Sequence, residues 1–229
     1  MVLTVVLFSC RKTEETKVPS KITMTTVDTE LSISIGGSGK VSIDFGDGYT
    51  DTMSFVKNKW IVIDHEYSTE SLYTITITGE VAALACTNNK ITTIDLSANP
   101  EIESLYCSNN QLTNLNISHL LMLGNLACNH NRLTSLDVSR QTKLLRLFCR
   151  NNFLTSLNLN GLAELDTVSC QFNYMNAAAL NNLFTSLPLS DNDRGMIYVS
   201  HNGPDYDGSG SRDCDETIAE KKGWKVTWE

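Results

Sequence analysis

Cysteine stands at 86, 107, 128, 149 and 170, five times at an unbroken spacing of 21 residues. Three positions after each comes an asparagine: Asn89, Asn110, Asn131, Asn152 and Asn173. A register this strict makes the middle of the chain one small structural unit, repeated and stacked. Apolar residues keep the same frame. Five before each Cys lie Val81, Ile102, Leu123, Leu144 and Leu165, and two before lie Leu84, Leu105, Leu126, Leu147 and Val168. Five after come Ile91, Leu112, Leu133, Leu154 and Met175. Inward and outward residues alternate around each Cys, the signature of a short strand with one buried face. Stacked copies place such strands in parallel, about 4.8 Å apart. The Asn sits where the chain turns out of the strand. Its amide both donates and accepts, so it can satisfy buried backbone groups of neighbouring turns. Asn173 borders the next segment and is expected to matter less than the central Asn131. The pairs Ile94/Leu96, Leu115/Ile117, Leu136/Val138 and Leu157/Leu159 predict a second short extended segment on the opposite, convex side.

The frame L-x-x-L-x-C-x-x-N-x-L resembles the leucine-rich repeat, with Cys at an inward position where Leu is commoner. Its clearest copy is Leu105-Tyr-Cys-Ser-Asn-Asn-Gln-Leu-Thr113, and the resemblance covers residues 81–180. It implies a solenoid of five 21-residue repeats.

The flanks have other periods. Leu31/Ile33/Ile35, Val41/Ile43/Phe45 and Tyr73/Ile75/Ile77 alternate as half-buried strands. Gly36-Gly-Ser-Gly39 and Gly46-Asp-Gly48 read as turns between strands. Val41-Ser-Ile-Asp-Phe-Gly-Asp-Gly48 and His65-Glu-Tyr-Ser-Thr-Glu-Ser-Leu-Tyr-Thr-Ile75 resemble two motifs of the PKD-type β-sandwich, with Ile43 in place of its Trp and Ser71 in place of its Gly. The resemblance implies a small N-terminal β-sandwich over 21–80, covering an edge strand that would otherwise be unpaired. After the repeats, Asn176–Phe184 has helical spacing, Met196–Val199 reads as a strand, Glu216–Lys222 as a short helix and Trp224–Trp228 as a last strand. The expected fold is mainly β with short helices: a leucine-rich-repeat solenoid between the sandwich and a C-terminal α/β cap over 181–229. The tail resembles those of Bacteroidetes leucine-rich-repeat lipoproteins.

Val2-Leu-Thr-Val-Val-Leu-Phe8 followed by Ser9-Cys10 resembles a bacterial lipoprotein signal, which implies acylation of Cys10. Residues 1–20 are expected to be signal and tether, and the protein to be lipid-anchored in the outer membrane or at the cell surface. The formal net charge is −8 without a basic stripe, which argues against nucleic acid and against anionic membrane surfaces. No apolar run reaches the length of a membrane span, so the lipid anchor is the membrane contact expected.

The chain offers little catalytic chemistry. His65, His119, His130 and His201 lie outside any nucleophile motif. Gly36-Gly-Ser-Gly-Lys40 lacks the Walker spacing and reads as a hairpin turn. No enzyme activity and no cofactor are expected. The ladder cysteines are expected to be buried free thiols: side chains pointing the same way bridge poorly, and zinc would want a Cys-x-x-Cys pair or a His companion. Cys214, flanked by acids, should have a raised pKa. Asp205, Asp207, Ser209, Asp213 and Glu216 have the spacing of an EF-hand calcium loop. Arg212 interrupts that pattern, and a solvated acidic connection is the plainer reading.

The candidate binding face is the row of outward residues on the strand side. Ala85, Tyr106, Ala127, Phe148 and Ser169 precede the cysteines, and Thr87, Ser108, Asn129, Arg150 and Gln171 follow them. Tyr106, His130, Arg146, Phe148 and Arg150 are expected to converge near the middle, as outward aromatics and Arg are what interaction hot spots are made of. The function expected is non-catalytic recognition of a protein or glycan in the bacterial envelope. The alternative is a structural spacer or accessory subunit of a surface complex.

Overall fold

The computed structural model describes residues 19–56, 59–190, 194–200 and 211–228. The structure is mainly β with few, short helices. The strands, in chain order, are β1 (Lys21–Thr26), β2 (Glu30–Asp44), β3 (Thr50–Ser54), β4 (Ile61–Glu66), β5 (Tyr73–Ala85), β6 (Ile91–Ala98), β7 (Ser104–Tyr106), β8 (Asn125–Ala127), β9 (Arg146–Phe148), β10 (Thr167–Ser169), β11 (Gly195–Tyr198) and β12 (Trp224–Thr227). The helices α1 (Ala177–Ser186) and α2 (Thr217–Glu220) fall near the C-terminal end. All twelve strands hydrogen-bond into one open sheet.

The sheet has two kinds of pairing, and β5 carries both. Its first half pairs antiparallel with β1, Tyr73 opposite Thr26 through Thr78 opposite Lys21. Its last three residues pair in parallel with β7, Ala83–Ala85 against Ser104–Tyr106. From there β7, β8, β9, β10, β11 and β12 follow in parallel, in sequence order. The opposite edge of β5 pairs with β2, Ala85 opposite Ser34 and Leu84 opposite Ile35. The first rung of the parallel stack therefore has no free edge, and no linker lies between the two kinds of sheet.

Beneath the parallel strands the apolar frame is fully inward. Leu84, Leu105, Leu126, Leu147 and Val168, the five cysteines, and Ile91, Leu112, Leu133, Leu154 and Met175 are all 0% exposed. They form one core with Ile22, Met24, Ile33, Ile35, Ile43, Ile75 and Ile77 of the antiparallel strands. Strands β7 to β10 centre on the residue two before the Cys rather than on the Cys itself, and β5 ends just before Cys86. Pairing still runs through the Cys, whose N–H donates to the next rung: Cys86 to Tyr106, Cys107 to Ala127, Cys128 to Phe148, Cys149 to Ser169 and Cys170 to Tyr198.

Each ladder Asn then fastens its turn to the rung before it. Asn131 Nδ2 donates to the carbonyls of Cys107 at 3.0 Å and Cys128 at 3.1 Å, and its Oδ1 accepts from the Leu112 N–H at 3.0 Å. Asn152 repeats this with Cys128, Cys149 and Leu133. Asn173 repeats it again with Cys149, Cys170 and Leu154. The expectation that Asn173 matters less is corrected by these bonds, because the side chain reaches backward and position next to the C-terminal segment removes none of them. Asn89 has no earlier rung, and it binds β2 instead: Nδ2 donates to the Ser32 carbonyl at 2.9 Å and Oδ1 accepts from the Ser32 N–H at 2.7 Å.

Three further expectations change. Gly36–Gly39 is a bulged stretch inside the continuous strand β2, which pairs with β4 before it and with β3 after it. Glycine is needed there for close approach: a Cβ on Gly37 would lie 2.0 Å from the Glu80 carbonyl oxygen. On the convex side only the first copy forms a strand, β6, because only it has β1 to pair with. Later copies make tight turns, as in Leu120 N–H to Ile117 O at 2.9 Å and Leu144 N–H to Gln141 O at 2.8 Å. Ser20, expected in the tether, is buried, and its carbonyl accepts from the Gly79 N–H.

Candidate strand-side binding face

The parallel register puts the residues preceding the five cysteines, Ala85, Tyr106, Ala127, Phe148 and Ser169, in one column that Tyr198 and Thr227 continue. Large and small side chains alternate along it. Tyr106, Phe148 and Tyr198 stand two strands apart, about 9.6 Å, with Ala127 and Ser169 between them. Tyr106, Phe148 and Tyr198 are half-buried. The column therefore has aromatic ridges separated by slots one strand wide.

Arg146 and Arg150 flank this column on either side of Phe148. Arg146 lies in register with Asn125 and Thr167. It is exposed, with Nε 4.0 Å from the Asp166 carboxylate. Arg150 is exposed, and its N–H donates to Asn129 Oδ1 at 3.0 Å, which fixes the backbone on the rung before. His130 stands apart from the other four predicted residues. Two residues past each Cys the backbone turns left-handed, at Asn88, Asn109, His130, Asn151 and Phe172, with φ between 51° and 62°. Asn tolerates this region best, which accounts for its recurrence there. His130 therefore leaves the sheet at the turn, where its Nε2 lies 3.3 Å from Asn151 Nδ2. Partial burial and the neighbouring Arg150 guanidinium hold its pKa below the usual value.

Two aromatic residues of this surface were missed in the sequence. Tyr198 continues the column because β11 is the next rung, with Ile197 in the inward place of Val168. The pattern Met196-Ile-Tyr198, read as a rung rather than an isolated strand, carries that signal. Trp60, 46% exposed, approaches Tyr106 from between β3 and β4, with ring centroids 6.3 Å apart. No period in the sequence points to it.

The cysteines present no chemistry to this face. Burial pushes the thiols of Cys107 and Cys170 up to about 12 and those of Cys86, Cys128 and Cys149 well above the usual value. All five are free thiols. Cys214 is half-buried, and burial followed by the Glu216 carboxylate raises it to about 11.

Of the calcium-loop residues, Asp205, Asp207 and Ser209 lie outside the described residues, as do Cys10 and His201. Asp213 is exposed, and Glu216 Oε1 accepts a hydrogen bond from the Trp228 indole at 2.6 Å. Among the described residues no helix is long and apolar enough to cross a membrane.

No family model matches the chain, and no curated protein matches it. Among solved structures it is similar to the functional domain of InlJ from Listeria monocytogenes, which includes a cysteine ladder. The identity is 25% and the TM-score 0.47, over 64% of this chain and 31% of that one. The chain thus spans less than a third of the length of the protein it matches.

Proposed function

We propose that the chain is a leucine-rich-repeat binding protein of the bacterial envelope, without catalysis of its own, and that it recognises a protein or glycan through the strand side of its sheet. In this reading residues 21–80 form a PKD-like unit at the N-terminal edge, 81–180 the solenoid and 181–229 a C-terminal cap. The observation that carries it is the column of alternating aromatic and small side chains at Tyr106, Ala127, Phe148, Ser169 and Tyr198, flanked by Arg146 and Arg150. Rigid aromatics and Arg supply most of the energy in protein interfaces. Here they occupy outward positions while the core beneath is already filled by Leu and Cys.

The test begins with a ligand recovered from envelope extract or a glycan array. Tyr106→Ala, Phe148→Ala and Arg150→Ala are each expected to weaken its binding by more than about 1 kcal/mol with little change in stability. Asp137→Ala and Ser118→Ala, on the convex side, are expected to leave it unchanged. Contacts that map to the convex side or to residues 181–229 would remove the strand-side reading and favour a spacer role.

Anchoring through Cys10 belongs to the same proposal. An acyl chain on its sulfur would hold the protein to the membrane. Cys10→Ala is expected to shift the protein to the soluble fraction and abolish palmitate labelling, and a wild-type chain that takes no label would contradict it.

A further inference from the structure

Where the antiparallel strands meet the second rung, a cleft of about 630 Å³ opens beside the strand-side column. Its floor is made of small residues, Gly36 of β2 and Ala83 of β5, which pair in register. A Cβ added at Gly36 would lie 3.5 Å from the Ala83 Cβ and 3.9 Å from the Trp60 ring. One wall is Trp60, which tilts toward Tyr106 at 49°. The other holds Glu101 and Glu103, both exposed. The main chain of Glu103 is pinned on both sides: its N–H donates to Ala82 O at 2.7 Å and its carbonyl accepts from Gly124 at 2.8 Å. Its carboxylate therefore springs from a fixed point. The half-buried Glu80 also lines the cleft but is already engaged within the protein, and Lys59 is the one cation among the described residues lining it.

These features select among ligands. An anion meets the exposed carboxylates of Glu101 and Glu103. An apolar side chain would strip water from them without replacing the lost hydrogen bonds. A cation with an aliphatic stem fits both halves: the stem lies along the Gly and Ala floor, and the head sits between the indole face and the carboxylates, where cation–π and ionic attraction act together. The charge changes sign along the same face, since Arg146 lies two strands on from Ser104. A polypeptide with a basic residue at one end and acids further along would match that order, whereas a free diffusible cation would use only the cleft.

We propose that this cleft takes a lysine or arginine side chain of the partner polypeptide and so sets the direction in which that partner lies across the strand-side face. The inference rests on the reading of that face as a binding surface, and it chooses a protein over a glycan.

The experiment uses the full chain and two blocked peptides, Gly-Gly-Arg-Gly-Gly and Gly-Gly-Gln-Gly-Gly. The readout is the Trp60 indole cross-peak in a nitrogen–proton NMR spectrum, assigned with Trp60→Phe. The Arg peptide is expected to shift it saturably, and the Gln peptide to bind at least tenfold more weakly. The Glu101→Gln, Glu103→Gln double variant should lose at least fivefold in affinity while the rest of its spectrum stays in place. Glu164→Gln, an exposed acid outside the cleft, should lose none, which separates the site from attraction to the net charge of −8. Equal binding of the two peptides, or full affinity in the double variant, would overturn the proposal, and so would a saturable shift with a neutral oligosaccharide in place of the Arg peptide. Failure of the peptide with Phe148 and Arg150 still needed for the envelope ligand would sink the cleft alone. Success of the peptide with the ligand mapping elsewhere would sink the strand-side reading alone.

Discussion

The parallel and antiparallel regions bury the same kinds of apolar side chain but satisfy their backbone in different ways. In the antiparallel region, long strands pair with one another directly, β2 with β3, β4 and β5, and β5 with β1. Side chains there decorate a lattice the backbone already completes. Aromatic packing does that work, with Phe45 stacked on His65 at 4.0 Å and Tyr67 on Tyr73 at 3.9 Å. In the repeats from β7 to β10 each strand is three residues long, and most of a copy is turn. The backbone of those turns needs a side chain to complete it, and Asn fills that need at every copy. The lesson is that a short-strand stack must encode its hydrogen bonding in side chains, so it needs the same residue at the same place each time. A long-strand sheet has no such need, and its sequence carries no comparable period.

That difference should appear first in alkali. No described residue of the antiparallel strands is a cysteine before Cys86, whereas the stack buries five thiols. Their folded pKa values are raised by burial, so the folded state keeps protons that the unfolded chain releases. Stability is then fully present below the unfolded thiol value, about 8.5, and is lost as pH rises from there toward about 12. Each thiol's slope rises from about half of 1.4 kcal/mol per pH unit at the unfolded value toward that limit above it, so the five together lose about 5 kcal/mol between pH 8.5 and 9.5. Urea midpoints between pH 8.5 and 9.5 are expected to fall steeply, and Cys128→Ala should remove one-fifth of the slope. A stability that stays flat across this window would contradict it.

The Asn ladder gives the next largest effect. Asn131→Leu leaves the Leu112 N–H without its acceptor and removes one of the two amide donors to each of the Cys107 and Cys128 carbonyls, and a loss of about 1–3 kcal/mol is expected. Asn173→Leu should cost as much, since it makes the corresponding bonds to Leu154 and Cys149. Chemical denaturation of the two variants compares them directly. A markedly smaller loss at Asn173 would show that the bonds of the last copy are not equivalent to those of the centre.

The same contrast explains what could be read in advance. The rungs were legible because Cys, Leu and Asn recur at fixed spacing, and Tyr106, Arg146, Phe148 and Arg150 fall where the alternation puts them. His130 was misplaced because alternation does not continue through the turn, where the backbone goes left-handed. In the antiparallel region the glycines at 36, 37 and 39 hid a continuous strand. Leu31, Ile33, Ile35, Val41, Ile43 and Phe45 in fact share one parity across them, since the strand is bulged at two places rather than broken. Buried Asn99 and Gln141 were also missed. They alternate with Leu120 and Leu162 in one column, and their amide N–H groups donate to buried carbonyls, Asn99 to Val81 at the start of its own copy and Gln141 to Ile117 of the copy before. Trp60 was out of reach, because its place beside Tyr106 depends on how β4 is carried by β2, which no local pattern states.

The account turns on β5, the strand through which both regions share one set of hydrogen bonds. Pulsed alkylation read by mass spectrometry reports the opening of Cys86 at the first rung. Native-state hydrogen exchange reports the β1 and β5 amides from Lys21 to Thr78. If β5 joins the regions into one unit, these openings share a single free energy and respond alike to denaturant. Rapid exchange across β1 and β5 while Cys86 stays protected, or alkylation of Cys86 while those amides stay closed, would contradict it.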